Sequence, residues 1–248
     1  MSTETNGKRP RVVIVIVGTG TEVGKTWVAT SLIRAWRASG LAVAARKPAQ
    51  SFASPDGTGG TDDTAGTDAH LLGEASGELP TTVCPPNRWY GLPMAPPMAA
   101  EALGQADFTA ADLEAELHWS AGTASGTSGF PVDVALVELA GGVCSPQAMD
   151  GDGIEMIRLI QPDAVLLVAD AGLGTLNDVR LSVAALRTLP LIRQVDGPVV
   201  VLNRFDPDLD VHRRNLSWLS TKDGLQVIPA PDALPDLAAE LVVLHSAS

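Results

Sequence analysis

Six consecutive apolar, β-branched residues, Val12 to Val17, run directly into Gly18-Thr19-Gly20-Thr21-Glu22-Val23-Gly24-Lys25-Thr26. An apolar run of that length with no polar alternation fits a strand buried on both faces of a parallel sheet. The apolar positions that follow, Val28, Leu32, Ile33, Ala35 and Trp36, recur at helical spacing up to Ser39, and Gly40 is a natural stop. A strand, a glycine-rich turn and a helix in that order aim backbone N–H groups and a helix N-terminus at one point beside Lys25. That point suits phosphate. The general spacing rule asks for a glycine five positions before the one in Gly-Lys-Thr, and Thr19 stands there. The rule fails by one residue, but glycines on either side of Thr19 permit positive φ and close backbone approach. Lys25 and Thr26 keep their places for phosphate and Mg²⁺. The plain alternative is a βα turn that binds nothing.

The rest of the chain repeats the alternation. Strands are predicted at Leu41–Arg46, Val132–Val137, Ala164–Ala169, Val199–Leu202 and Leu225–Ile228, and further helices near Asp68, over Phe108–Trp119 and up to about Leu189. This pattern predicts an α/β fold, a doubly wound and mainly parallel sheet with helices on both faces. Residues 1–11 are polar and expected to be disordered, and 12–248 are expected to form a single domain. Trp27 and Trp36 read as packing residues. Phe52–Thr67 and Ala121–Pro131 read as polar loops, and Pro80–Pro97 as a proline-rich loop that lines a pocket or packs.

Ligands in open α/β sheets gather at the carboxyl ends of strands. Lys47 and Ser51 follow the second strand there, and Glu138, in Glu138-Leu139-Ala140-Gly141-Gly142, follows the third. An acid in that position suits Mg²⁺ held opposite the phosphate loop. Asp68 fits either a helix cap or a Mg²⁺ ligand. Gly174-Thr175-Leu176-Asn177 puts another helix N-terminus at the same edge, suited to a carboxylate. Asp170, at the end of its own strand just before it, either replaces or assists Glu138 at the metal. Asn203 reads as a contact to a base edge or as a turn residue, and Pro229 ends the last strand.

Composition narrows the partners. A chain of 248 residues, 45% hydrophobic, can bury a full core, and 17 Lys+Arg against 29 Asp+Glu leave a net charge of −12. That balance argues against nucleic acid and anionic membranes as general partners. Cys84 and Cys144 are too few for a disulfide framework, so a reducing, cytoplasmic setting is expected. The four histidines lack metal-binding spacing, and no apolar run is long enough for a bilayer.

Taken together, the motifs resemble the dethiobiotin synthetase family from about Val12 to Pro229. The family's phosphate loop reads Gly-Thr-x-Thr-x-Val-Gly-Lys-Thr, as Gly18 to Thr26 does, including the departure from the general rule. Its Lys-Pro strand end with a following Ser or Thr is matched by Lys47-Pro48 and Ser51. Its Ser/Thr-Asp-Ala segment is matched by Thr67-Asp68-Ala69, its Leu-Gly-x-x-Asn helix start by Leu173 to Asn177, and its adenine-binding Asn by Asn203. The resemblance implies a P-loop NTPase-like, three-layer α/β/α fold and a reaction of 7,8-diaminopelargonic acid, CO₂ and ATP that yields dethiobiotin, ADP and phosphate. It implies nucleotide contacts from Gly20, Thr21, Glu22, Val23, Gly24, Lys25, Thr26, Glu138, Asn203 and Pro229, and a Mg²⁺ set of Thr26, Asp68 and Glu138. Catalytic roles fall to Lys47, Lys25, Thr21 and Ser51. Ser51, Gly174, Thr175, Leu176 and Asn177 would hold the substrate, the last four from the other subunit of a homodimer. One departure stands out: Leu139 occupies a position where the family usually has glycine, and it is expected to demand a different backbone conformation or to narrow the pocket, which bears on substrate identity more than on nucleotide binding. Related ATP-dependent ligases, and nucleotide-switched ATPases of the ParA/MinD type, are the alternative readings.

Overall fold

The computed structural model describes residues 9–53, 66–119, 131–189 and 197–243. Its centre is β1 (Val12–Gly18), buried at every position. Each valine or isoleucine so buried contributes roughly 1.5–3 kcal/mol of hydrophobic stabilisation. Helix α1 (Lys25–Ala38) follows and ends at Ser39, with Gly40 in left-handed backbone at φ 83° as the sequence suggested. Strand β2 (Val43–Arg46) starts two residues later than expected, and the short β3 (Gln50–Ser51) comes after Lys47.

Next come α2 (Asp68–Ser76), α3 (Pro80–Val83), β4 (Trp89–Tyr90), α4 (Pro96–Ala102) and α5 (Ala110–Ala115). The stretch read as a proline-rich loop therefore carries α3 and β4, with β4 pairing in parallel with β3. Prolines at the starts of α3 and α4 explain the misreading, because Pro is tolerated in the first helical turn. Helix α5 is shorter than the periodicity implied and begins at a capping box between Thr109 and Asp112.

The chain continues through β5 (Val134–Gly142), β6 (Pro146–Ala148), β7 (Gly151–Asp152), α6 (Gly153–Ile160), β8 (Ala164–Asp170) and α7 (Thr175–Leu186). It closes with β9 (Val199–Asn203), α8 (Asp210–Thr221), β10 (Val227–Pro229) and α9 (Leu234–Val243). Most of the two polar loops expected at 52–67 and 121–131 lies outside the described residues, as does most of the 1–11 segment.

Six strands form one sheet in the order β10-β9-β8-β1-β5-β2, and every pairing in it is parallel. Residues of alternating parity on the strands feed two separate cores. Val12, Ile14, Ile16, Val134 and Leu136 pack with α1, α2 and α9. Val13, Val15, Val17, Ala135, Val137 and Leu139 pack with α4 to α8 on the opposite face. The result is the doubly wound α/β/α sandwich of P-loop NTPases. After β1 the chain moves to one side of it, through β2 and β5, and then to the other, through β8, β9 and β10. The carboxyl end of β1 is thus the topological switch point, where such sheets bind ligands.

Candidate active site

The loop between β1 and α1 is shaped by close contacts more than by flexibility. A Cβ on Gly18 would come within 2.7 Å of the Gly20 carbonyl oxygen and 2.9 Å of Val23 Cγ2. Gly24, at φ 89°, leaves no room at all, since a Cβ there would sit 2.0 Å from Asn203 Nδ2. The expectation for Gly20 does not hold. Its φ is not positive and a Cβ there would meet nothing within 4 Å, whereas Glu22 takes up left-handed backbone at φ 61°. No side chain caps the N-terminus of α1 and no acid occupies its first turn. Its positive end therefore faces the loop unopposed by a protein carboxylate of that turn.

Two lysines converge here. Lys25 is buried and donates from Nζ to the Gly20 carbonyl at 2.9 Å. Burial, with the like charge of Lys47, pushes Lys25 down to about 8, with Glu138 and Asp68 partly offsetting. Lys47 is 2% exposed and lies 2.7 Å from both Asp68 Oδ2 and Glu138 Oε1. Burial works to discharge it, but the two carboxylates outweigh that and hold the ammonium charged, above its ordinary range.

The acids respond in opposite directions. Asp68 is also penalised by burial, yet Lys47, the Thr26 hydroxyl and Lys25 bring it to about 2. Glu138 is fully buried, which pushes its carboxyl up against the pull of Lys47. Asp68 can serve the site because Thr67, not Asp68, is the N-cap of α2, accepting from the His70 N–H. Gln50 anchors the same turn by accepting from the Ala69 N–H at 3.0 Å.

Glu138 is set by an irregularity in β5. It pairs opposite Ile16, but the next pairing, Gly18 with Gly142, has skipped two extra residues of β5. In that bulge the Gln147 side-chain amide donates to the Ala140 carbonyl at 2.7 Å and accepts from its N–H at 3.0 Å. Leu139 does not narrow the pocket. It is 1% exposed and packs into the core on the far side of the sheet, with Ala135 and Val137, because side chains alternate across a strand.

The oxygens of Thr26, Asp68 and Glu138 form one cluster: Thr26 Oγ1 is 2.8 Å from Asp68 Oδ1 and 3.0 Å from Glu138 Oε1. One hydroxyl proton cannot satisfy both, and Glu138 Oε2 is buried with no partner among the described residues. Three hard oxygen ligands, two of them anionic and one with an unsatisfied buried lone pair, fit Mg²⁺.

These groups open into a cavity of about 720 Å³ lined by Thr21, Glu22, Gly24, Lys25, Thr26, Lys47, Ser51, Asp68 and Glu138 from the expected set. Ser51 Oγ is buried there with no hydrogen-bond partner among the described residues. Pro93 to Pro96, Ala140, Gly141, Ser145, Pro146 and Arg204 complete the wall. An adjoining cleft of about 280 Å³ is lined by Gly24, Trp27, Asn203, Arg204 and Pro231. Trp27, read as packing, is 46% exposed and forms part of this cleft. Pro231 lines it, while Pro229 sits two residues earlier in β10. Asn203 donates from Nδ2 to the Val23 carbonyl at 3.0 Å.

Gly174 to Asn177 are not among the residues lining either space. Gly174, at φ 97°, starts α7 without a side-chain cap, and the buried Thr175 hydroxyl has no partner among the described residues. Asp170 is turned to Arg204, at 3.0 Å, and to the Gly172 N–H. Arg204 went unnoticed in the sequence, although its place directly after Asn203 at a strand's carboxyl end was the available signal.

A family model described as an AAA domain matches residues 12–240. An ATP-dependent dethiobiotin synthetase from Anaeromyxobacter dehalogenans is 34% identical over 243 residues, covering 94% of this chain and 95% of that protein. The chain belongs to the dethiobiotin synthetase family. Other proteins of that name are similarly close: one from Caulobacter vibrioides is 37% identical over 204 residues, covering 79% of this chain and 83% of its own. One from Streptomyces coelicolor is 34% identical over 223 residues, with 89% and 84% covered.

Proposed function

We propose that this protein is an ATP- and Mg²⁺-dependent cyclo-ligase that converts 7,8-diaminopelargonic acid and CO₂ into dethiobiotin, releasing ADP and phosphate. The observation that carries the reading is Lys47, a second buried lysine held 2.7 Å from both Asp68 and Glu138 in the cavity that also contains Lys25. A plain nucleotide site needs only the loop lysine. A second fixed cation gives the site a place for the charge that develops when a carbamate oxygen attacks a γ-phosphate.

In this reading one amine of the substrate takes up CO₂ as a carbamate, the carbamate oxygen attacks the γ-phosphate, and the second amine closes the ring and expels phosphate. The chain's own residues position and neutralise. Lys25 and the N–H groups of residues 20–24 hold the β- and γ-phosphates at the start of α1. Lys47 orients the carbamate and stabilises the phosphoryl charge, its ammonium kept protonated by the two acids. Thr21 and Ser51 donate hydrogen bonds nearby, and the Ser51 hydroxyl, which has no partner among the described residues, is available for one. Thr26, Asp68 and Glu138 would hold Mg²⁺, which when bound neutralises charge on the β- and γ-phosphate oxygens.

The base would sit in the cleft beside Trp27, Asn203 and Pro231. Gly174 to Asn177, which do not line the cavity, would receive the substrate carboxylate of a partner subunit in a homodimer. We place the enzyme in the cytoplasm, as one domain over 12–248, acting on small molecules and on neither nucleic acid nor membrane.

The test is to incubate the protein with Mg-ATP and diaminopelargonic acid, with and without bicarbonate, and to look for dethiobiotin by mass. Bicarbonate-dependent dethiobiotin with matching ADP is the expected result. Nucleotide binding without product would overturn the reading in favour of a ligase for another substrate or a nucleotide switch.

A further inference from the structure

Two non-glycine residues in left-handed backbone meet beside the phosphate loop: Glu22 at φ 61° and Arg204 at φ 56°. Residues with a Cβ are unfavourable there and persist only where the surroundings hold them. Here they hold each other. Arg204 donates from Nη2 to the Glu22 carbonyl at 2.9 Å, while its Nη1 lies 3.0 Å from Asp170 Oδ2. Asp170 is fixed in turn, its Oδ1 accepting from the Gly172 N–H at 2.8 Å. Asn203, the preceding residue, takes the next loop carbonyl, that of Val23. Two consecutive carbonyls of the loop are thus tied down by two consecutive residues at the end of β9.

Arg204 also lines both the 720 Å³ cavity and the 280 Å³ cleft, so it stands where the two spaces adjoin. With phosphates at Lys25 and a base beside Trp27, the nucleotide runs past it. An isolated surface ion pair would contribute little. The Arg204 fork differs because one of its two acceptors is the backbone of the loop itself.

We infer that Arg204 is a positioning residue for the nucleotide: anchored on Asp170, its guanidinium holds the Glu22 carbonyl and fixes the loop in the conformation that receives a nucleoside di- or triphosphate. The inference rests on the nucleotide-binding part of the proposed function and not on the ring-closing chemistry.

ADP binding, measured by calorimetry on the full chain, tests it without requiring turnover. Arg204→Ala should weaken ADP by about tenfold and Asp170→Asn by a smaller factor, with the double variant no worse than Arg204→Ala, because the two act as one unit. Arg204→Lys keeps the charge but loses the fork and should fall well below the wild type. If dethiobiotin is formed, the Arg204→Lys loss should appear in KM for ATP more than in kcat. Affinity in Arg204→Ala within about twofold of the wild type would overturn the inference, as would single losses that multiply in the double variant. Full affinity in Arg204→Lys would overturn it in favour of a simple point charge. Should Arg204→Ala fail to fold, Arg204→Lys and Asp170→Asn change only half-exposed side chains and decide the matter. A wild type that binds ADP but makes no dethiobiotin defeats the cyclo-ligase reading alone; one that binds no nucleotide defeats both.

Discussion

The Nζ of Lys47 lies 2.7 Å from Oε1 of Glu138, and both side chains are withdrawn from water, at 2% and 0% exposure. Breaking such a pair from one side leaves a buried charge without its partner, at a cost of about 3–5 kcal/mol. Lys47→Met should therefore retain nucleotide binding through Lys25, lose about a hundredfold or more in turnover, and be destabilised in a pH-dependent way. With Lys47 gone, burial raises the Glu138 carboxyl further above its unfolded value, so the folded state binds more protons than the unfolded state. The stability of the variant then falls as pH rises through that window. Urea titrations at pH 5 and pH 8 check this; equal destabilisation at both would mean that Glu138 is not the group left unpaired.

Asp68 reaches Lys47 and Thr26 at once, and its 37% exposed side chain meets solvent more than Glu138 does. Asp68→Asn keeps the shape but removes one of the two anionic oxygen donors, so it should raise the Mg²⁺ concentration needed for half-maximal turnover by about tenfold at fixed ATP. Chelating Mg²⁺ should abolish product in the wild type. A variant with an unchanged Mg²⁺ requirement would remove Asp68 from the metal set.

Much of this site could be read from the sequence because it depends on strand ends. Lys47, Glu138, Asp170 and Asn203 were placed by the rule that apolar runs end at the ligand-binding edge; Lys47, Asp170 and Asn203 lie at strand ends there, whereas β5 runs on past Glu138 to Gly142. Side-chain direction was harder to read. Leu139 follows Glu138 directly, so nearness in sequence suggested nearness to the site, yet the alternation of the strand sends it into the opposite core. Arg204 and Trp27 were missed because their roles depend on which neighbours the sheet order brings beside them. The β5 bulge, stitched by Gln147, leaves no periodic trace in sequence.

Lys25 supplies a pH signature. Its pKa in the protein without nucleotide is brought down to about 8 by burial and by Lys47. Nucleotide phosphates favour the ammonium form, so binding raises that value and takes up a proton at pH near 8. ADP affinity should be greatest below about 8 and decline as pH rises above it. Calorimetry in buffers of different ionisation enthalpy measures the proton uptake directly, and no dependence on buffer at pH 8 would show Lys25 charged throughout.

Leu139 carries the last prediction, because its position reverses what its identity suggested. From the family resemblance this leucine reads as a group intruding on the substrate, but it is 1% exposed and packs with Ala135 and Val137 on the face away from Lys25 and Glu138. Truncating a buried leucine removes transfer energy and leaves a cavity, at about 2–5 kcal/mol. Leu139→Ala should lower unfolding stability by that amount while changing KM for the diamine by less than about threefold at a temperature where the variant is folded. Leu139→Gly adds backbone freedom to the lost packing and should be the less stable of the two. Urea unfolding alongside steady-state kinetics separates the two readings. A new substrate preference with stability intact would put the side chain in the cavity, and a stability loss with substrate preference unchanged keeps it in the core.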